Sequence, residues 1–291
     1  MARRSSRSRS SPTATADPLS ALLGRIDEKA ERGPADDSIA IGFPSIDRAL
    51  GGGFRRGDLV VLGGDVGSGK SALALAMAVR AASQRPVTFL TAEMAKERVM
   101  ERILAIDGKV RVDDLRQGTL DDVARANVGA AAVRLRGVLP QLERLPRDGV
   151  SGIASVAQAS PHPHLVVVDS LQALAVGRRA TAEEEAAAVR ALKSLALDAG
   201  VSILATAQLP RLTPRPDRRP QLDDFGALGA VKHHADVVLA LYRESMYDSA
   251  RDIEGATELL IRKNRHGNIG YVDLYFYAQW MRFEDMVDPS R

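Results

Sequence analysis

Gly63-Gly64-Asp65-Val66-Gly67-Ser68-Gly69-Lys70-Ser71 contains the spacing G-x-x-x-x-G-K-[ST] of a loop that cradles nucleoside-triphosphate phosphates. Asp58-Leu59-Val60-Val61-Leu62 before it reads as a short buried strand, and Ala72 to Ala82 after it as an Ala/Leu-rich helix. An ordinary Gly-rich turn that happens to precede a Lys has no reason to join a strand end to a helix start; a phosphate loop must. Gly64, Gly67 and Gly69 are expected to let the backbone curl at positive φ and approach phosphate oxygens, while successive N–H groups and the helix N-terminus supply partial positive charge. Lys70 adds a full charge for the β- and γ-phosphates, and the Ser71 hydroxyl offers one ligand to Mg²⁺. Gly64, Asp65, Val66, Gly67, Ser68, Gly69, Lys70 and Ser71 together are thus the expected binding segment for ATP.

The remainder of the chain fits a soluble α/β protein. With 291 residues the length allows about two domains. Hydrophobic residues make up 45% and aromatics only 4%, which suits an Ala/Leu/Val-rich α/β fold better than a β-sandwich. The absence of cysteine excludes disulfide scaffolds and thiolate metal sites, and the default location is cytoplasmic. No window has the length of a membrane span, and the N-terminal Arg/Ser run has no apolar stretch behind it, so neither a secretory signal nor a membrane partner is expected. Residues 1–17 hold Arg3, Arg4, Arg7 and Arg9 against Asp17, which accounts for the whole formal charge of +3; they are expected to form a disordered basic tail. Asp17 as N-cap, Pro18 at the first helical position and the stripe Leu19, Leu22, Leu23 and Ile26 predict an amphipathic linker helix within 18–34, ending at Gly33-Pro34. A short helix with Ser45 as its cap is expected before Gly51-Gly52-Gly53.

Beyond the loop, strands and helices alternate. Strands are expected at 87–91, 165–168, 201–206, 236–241 and 259–265, and helices at 95–106, 182–199 and, singly or as a pair, 121–139. That alternation implies a mostly parallel sheet flanked by helices, with ligands gathered at the carboxyl ends of the strands. Polar residues stand where such ends fall. Glu93 follows one strand and can accept a proton from attacking water; Asp169 closes an apolar run and can hold Mg²⁺ directly or through water; Gln208 can sense the γ-phosphate through its amide.

Gly64 to Ser71, Thr91-Ala92-Glu93-Met94, Val168-Asp169-Ser170-Leu171-Gln172-Ala173-Leu174 and Ala207-Gln208-Leu209-Pro210-Arg211, in this order, resemble the RecA-like motor domain of DnaB-type replicative helicases. Ala235 to Glu244 with Tyr247, Lys263-Asn264-Arg265-His266-Gly267 with Gly270, and Trp280 to Glu284 look like the late motifs of the same family. The resemblance covers roughly residues 38–285 and leaves 286–291 as a C-terminal tail. It implies a RecA-like P-loop NTPase with a C-terminal β-hairpin region, an ATP-hydrolysing helicase forming a homo-oligomeric, hexameric ring, and single-stranded DNA as partner. Carried over by motif, Glu93 is the water-polarising glutamate, Asp169 the Mg²⁺ carboxylate, Gln208 the coupling residue, and Lys263 and Arg265 the basic finger for the neighbouring subunit. Two apart on the strand 259–265, that pair is expected to point to one face. The linker helix is implied to dock on the adjacent subunit.

Departures sharpen these expectations. Too few residues precede the linker helix for the family's helical N-terminal domain, so primase docking through it is unsupported. Asp224 to Ala230 stands where the family carries an Arg-Glu-Ser-Gly run that touches single-stranded DNA; Gly226 and Ala227 replace the charged pair and Gly229 is retained. Arg178, Arg179, Arg211, Arg215, Arg218 and Arg219 are the remaining candidates for a phosphate backbone, with no aromatic among them to read bases. His162 and His164 lack further ligands nearby, and His233 and His234 read as structural. Two alternatives fit parts of the pattern: a RadA-like recombination ATPase, against which the missing zinc-binding cysteines and protease-like C-terminal domain argue, and a KaiC-like regulatory ATPase that binds protein instead of DNA.

Overall fold

The computed structural model describes residues 17–32, 38–159, 165–174, 181–209, 215–247 and 253–286. The chain divides into two units, residues 1–36 and 37–291. In the first, α1 (Pro18–Arg32) is the expected helix. The Asp17 carboxylate accepts the backbone N–H of Leu19 at 3.4 Å and of Ser20 at 3.3 Å, while Leu19, Leu22, Leu23 and Ile26 are exposed. The Arg/Ser tail, Gly33-Pro34, His162, His164 and residues 287–291 lie outside the described residues.

In the second unit β1 (Ser38–Ile39) and β2 (Phe54–Arg55) form a two-stranded antiparallel ribbon around α2 (Pro44–Ala49). Ser45 does not cap α2: Pro44 takes the first helical position, where a missing N–H costs nothing, Phe43 stands at the cap, and Ser45 bonds instead to Asp285 through its N–H and hydroxyl. There follow β3 (Leu59–Gly64), α3 (Lys70–Ala82), β4 (Val87–Thr91), α4 (Lys96–Gly108), α5 (Val112–Gln117), α6 (Asp122–Leu135), β5 (Gln141–Arg144), α7 (Val150–Gln158), β6 (Leu165–Asp169) and α8 (Ala182–Ala199). The chain then continues through β7 (Ser202–Gln208), α9 (Ala230–His234), β8 (Val237–Tyr242), β9 (Ala256–Asn264), β10 (Gly270–Tyr277) and β11 (Arg282–Asp285).

Nine strands make one sheet in the order β11-β10-β9-β8-β3-β7-β6-β4-β5. From β8 to β5 all neighbours are parallel; β9, β10 and β11 extend the sheet antiparallel. The mostly parallel sheet flanked by helices is therefore as the alternation implied. Because both faces are covered, the central strands are mostly apolar, and successive residues serve opposite layers. Val60 and Leu62 join Leu73 and Met77 of α3 on one side; Leu59 and Val61 join Val189 and Leu192 of α8 on the other. Leu165 and Val167 against Val166 and Val168 divide in the same way.

This topology separates two edges. Gly64 is level with Gln208 and Leu241, and Thr91 with Asp169, so the strand ends bearing polar residues share the carboxyl edge. β9 runs the other way, and its last residues, Lys263 and Asn264, lie opposite Val238 and Val237 near the start of β8.

Candidate nucleotide site

The loop between β3 and α3 is built for an anion. Gly69 precedes α3 at a φ of 99°, a left-handed conformation that favours glycine, and contributes no side-chain cap. No acidic residue lies in the first turn either, so the helix presents its N-terminal N–H groups without a compensating negative charge. Gly64 acts differently from the expectation of a positive φ: it closes β3 in extended form, and a Cβ there would collide with the Ser68 hydroxyl. Ser68 is buried, and its Oγ has no hydrogen-bond partner. Lys70 and Ser71 open α3, two residues earlier than the sequence suggested, while Val66 is exposed at the loop's crest.

Asp169 ends β6 fully buried. Its Oδ1 accepts the Ser71 hydroxyl at 3.0 Å and the Thr206 hydroxyl at 2.6 Å, while its Oδ2 has no partner. A buried carboxylate oxygen left unbonded costs about 1–3 kcal/mol unless something completes it. That hard-oxygen arrangement fits Mg²⁺, which uses one or two protein oxygens together with substrate phosphates and water. Among the described residues no group of three or more His, Asp or Glu could hold a metal without such help. Thr206 was not singled out from the sequence; its position two residues before Gln208 on β7, a hydroxyl between Ala205 and Ala207, was the available signal.

Glu93 sits just beyond β4, exposed, with its Oε1 accepting the Ser170 hydroxyl at 3.4 Å. Ser170 follows Asp169 through a cis peptide bond. Gln208 is the last residue of β7, and its backbone is clasped by Gln172, whose Oε1 accepts the Gln208 N–H at 3.1 Å. Lys70, Ser71, Glu93, Asp169 and Gln208 are therefore gathered at one sheet edge. Arg102 of α4 belongs with them: burial holds its guanidinium below the usual value, Arg116 acts the same way, and the charges of Asp169 and Glu93 oppose both. It was not singled out from the sequence, because it lies in a charged helix among Lys96, Glu97, Arg98 and Glu101.

Beside the loop lies a cavity of about 660 Å³ lined by Arg218, Arg219, Tyr242, Glu244 and Tyr247. Tyr242 and Tyr247 stack with ring centres 5.5 Å apart, Arg218 lies over Tyr247 at 5.8 Å, and Arg219 over Tyr242 at 5.2 Å. The Tyr247 hydroxyl donates to Asp65 Oδ2 at 3.1 Å, tying this wall to the phosphate loop. Burial and the Asp65 anion push the phenol up to about 12, so it stays a donor.

Lys263 and Arg265 lie at the other edge. Arg265 has left β9 and begins the following turn, so the pair is not joined by strand alternation. The two converge instead on the C-terminus of α9: Lys263 Nζ donates to Lys232 O at 2.7 Å, and Arg265 Nη2 to His233 O at 3.4 Å. Those carbonyls carry the negative end of a short helix, a natural seat for cations. His234 ends α9.

Of the arginines expected on DNA, Arg215 is paired with Asp224 at 2.5 Å and Arg219 with Glu258 at 2.5 Å, while Arg218 donates to Tyr247 O at 3.0 Å. Arg178, Arg179 and Arg211 lie outside the described residues. Gly226, Ala227, Leu228 and Gly229 have φ of 62°, 47°, 50° and 77°, a run of positive values that brings Leu228 to the surface.

A model of the DnaB-like helicase C-terminal domain matches residues 38–285. The chain belongs to this family. It is 28% identical over 259 residues to the replicative DNA helicase DnaC of Bacillus subtilis, covering 85% of this chain and 56% of that protein. It is 29% identical over 287 residues to the replicative DNA helicase DnaB of Haemophilus influenzae, covering 93% and 60%. The chain thus spans a little over half the length of these relatives. Its fold is shared with a solved DnaB-like replicative helicase, with a TM-score of 0.82 at 23% identity over 94% of this chain and 68% of that one. A KaiC-like protein of Pyrococcus horikoshii superposes at 0.60 with 18% identity, over 87% of this chain and all of that one. The fold is RecA-like, and the DnaB-type reading is favoured over the RadA-like and KaiC-like ones.

Proposed function

We propose that this chain is the ATP-hydrolysing motor domain of a DnaB-type helicase, working at the interfaces of a homo-oligomeric ring on single-stranded DNA. One observation carries the shared-site reading. Charge developing on a γ-phosphoryl group needs a cation from outside the loop, yet the basic pair is held at the opposite edge of its own sheet. Arg265 is level with Asp236, whose neighbour on β3 is Leu59, and five residues of strand separate Leu59 from Gly64, about 16 Å. Within one chain the pair does not serve its own loop; a neighbour's loop is the target that gives it a purpose.

In this reading the loop N–H groups and Lys70 hold the β- and γ-phosphates, and the Tyr242–Tyr247 wall flanks the nucleoside. Ser71 and Asp169 Oδ2 would hold Mg²⁺, which when bound neutralises charge on the phosphate oxygens. Glu93 orients a water and takes its proton as the γ-phosphorus gains that oxygen and releases the bridging one. Gln208, at the end of β7 beside Gly64, is placed to report the phosphate's presence to the surface. Gly229, Arg218 and the arginines outside the described residues are the proposed DNA contacts, whereas Arg215 and Arg219 would first have to release Asp224 and Glu258.

The test is ATP turnover per chain across a dilution series, with and without single-stranded DNA. A shared site predicts a rate that falls as the ring dissociates and rises with DNA. A full rate from the dilute monomer would overturn the shared site, and a concentration-dependent rate indifferent to DNA would overturn the DNA partner in favour of a regulatory ring.

A further inference from the structure

The turn after β9 carries the basic pair, and two buried carboxylates hold it. Inside the turn, the His266 N–H donates to Asn264 Oδ1 at 3.1 Å and the Asn264 amide to Asn268 O at 3.1 Å. Those bonds shape the turn without fixing it to the sheet. The external ties are few: Arg265 N–H to Asp236 O at 2.9 Å, Arg265 Nε to Asp236 Oδ1 at 3.2 Å, Arg265 Nη2 to His233 O at 3.4 Å, and His266 Nε2 to Asp58 Oδ1 at 2.8 Å.

Both carboxylates are anchored independently of the turn. Asp236 Oδ2 accepts Lys193 Nζ at 2.7 Å and the Leu59 N–H at 2.9 Å; Asp58 Oδ2 accepts the Arg55 N–H at 3.2 Å. Asp58 precedes β3 and Asp236 precedes β8, so the turn is referenced to the two strands at the middle of the sheet. Half of the Arg265 side chain remains exposed, 51% against 3% for Asp236, because only its Nε and Nη2 are engaged among the described residues. Asp236 grips one edge of the guanidinium and leaves the other facing out.

We propose that His266 is a positioning residue for the basic finger: its bond to Asp58 fixes the turn so that Lys263 and Arg265 meet a neighbouring chain's phosphate in register. This rests on the shared-site reading above. A finger must arrive within a fraction of an ångström of the phosphoryl oxygens, and a misplacement of about 1 Å costs on the order of a hundredfold in rate. Without His266, Arg265 keeps its contacts with Asp236 and with the His233 carbonyl, but the turn beyond it can pivot about them. Placing the phosphate loop at the far end of β3 also explains why the loss should spare nucleotide binding in the same chain.

The experiment measures ATP turnover by the assembled full chain for Arg265→Ala, His266→Ala and His266→Gln, each alone and mixed in equal amounts with Glu93→Gln. His266→Ala should lower kcat about tenfold to a hundredfold with KM unchanged. His266→Gln, whose amide can reach the place of Nε2, should recover most of that loss. Mixing His266→Ala with Glu93→Gln should give more turnover than the two contribute separately, since at a share of the interfaces an intact loop then meets an intact finger; a chain that is simply misfolded gains nothing. Arg265→Ala separates the two layers of the argument. If Arg265→Ala is inactive while His266→Ala turns over at the full rate, the positioning role is refuted and the shared site stands. If Arg265→Ala itself is fully active, the shared site falls and takes the positioning role with it. A His266→Ala defect that appears in KM, or that mixing fails to relieve, places the residue in its own chain's stability and refutes the proposal.

Discussion

Before β3 begins, Asp58 and Asp236 are buried carboxylates whose oxygens all have partners: His266, Arg55, Lys193, Arg265 and the Leu59 N–H. Beyond its far end, Asp169 is buried as deeply with one oxygen unbonded. Ser68, also orphaned, lies on the same side, and Arg102 Nε, equally without a partner, belongs to a guanidinium that feels the Asp169 and Glu93 charges. Burial of charge is thus common to both ends, and saturation is what distinguishes them. A saturated carboxylate is a structural anchor, whereas a buried unsaturated one is tolerated where a ligand completes it. The difference teaches that the two edges have exchanged their surplus: one has acids waiting for a cation, the other offers cations already held by acids.

The hardest test of the unsaturated edge is Lys70→Ala. The loop N–H groups supply partial charges only, so loss of the ammonium should lower turnover on the order of a thousandfold. Thermal stability should hardly change, because the Lys70 side chain makes no hydrogen bond or ion pair among the described residues. Retained turnover in a coupled phosphate-release assay would dissolve the assignment of this edge to phosphate.

Asp236→Asn applies the same question to the saturated edge and should give the opposite answer. Lys193 has a side chain only 16% exposed, and removing its counter-charge should cost roughly 3 kcal/mol of folding stability, at the lower end for a broken buried pair because the amide still accepts one bond. Denaturant melts read this directly. A variant as stable as the parent would mean that Asp236 is also a ligand group and that the contrast between the edges is false.

How much of this contrast could be seen in the sequence depended on the type of signal. The phosphate loop was legible because a motif fixes both residue type and spacing, β6 and β8 because apolar runs mark strands covered on both faces, and β7 because its run is interrupted only by small hydroxyl residues before Gln208. β5, Gln141–Arg144, was not: it is an edge strand paired only with β4, and its polar residues carry no periodic mark. α5 is short with no buried residue, and α7 is made largely of small residues, so neither showed a clear stripe. The helical stretch expected to run to 139 stops at Leu135, just ahead of Gly137 at a φ of 81°. Where the basic pair would lie was beyond local reading, since the edge reached by the end of β9 follows from its antiparallel pairing with β8. Arg215 and Arg219 looked free for a polyanion because their partners Asp224 and Glu258 are supplied by folding.

Thr206→Val makes the comparison finer by changing one bond at Asp169 while conserving volume. Thr206 and Ser71 both donate to Oδ1, so the carboxylate keeps one of its two ties. Removing a hydrogen bond to a charged group is worth about 1.5–3 kcal/mol. Part of that falls on stability, and turnover should drop roughly tenfold. The stronger signature is a higher Mg²⁺ requirement for half-maximal rate. A pure stability loss with an unchanged Mg²⁺ dependence would make Thr206 a core residue only.

The smallest expected effect is at Tyr247→Phe, which keeps the stacked ring and removes the hydroxyl that holds Asp65. One hydrogen bond to a carboxylate at a partly exposed position should change the KM for ATP about threefold to tenfold and leave kcat near the parent value. The pH dependence carries a sign. Folding raises this phenol from its ordinary 10.0 to about 12, so between those values the unfolded chain has lost the proton and the folded chain still holds it. The stability that the bond contributes is fully present below pH 10.0 and drains away as pH rises toward about 12. Parent and Tyr247→Phe should therefore differ in stability by a constant amount through the neutral range and converge on the alkaline side. Convergence at a lower pH would mean that Asp65 is not the partner, and the tyrosine wall of the cavity would then be independent of the phosphate loop.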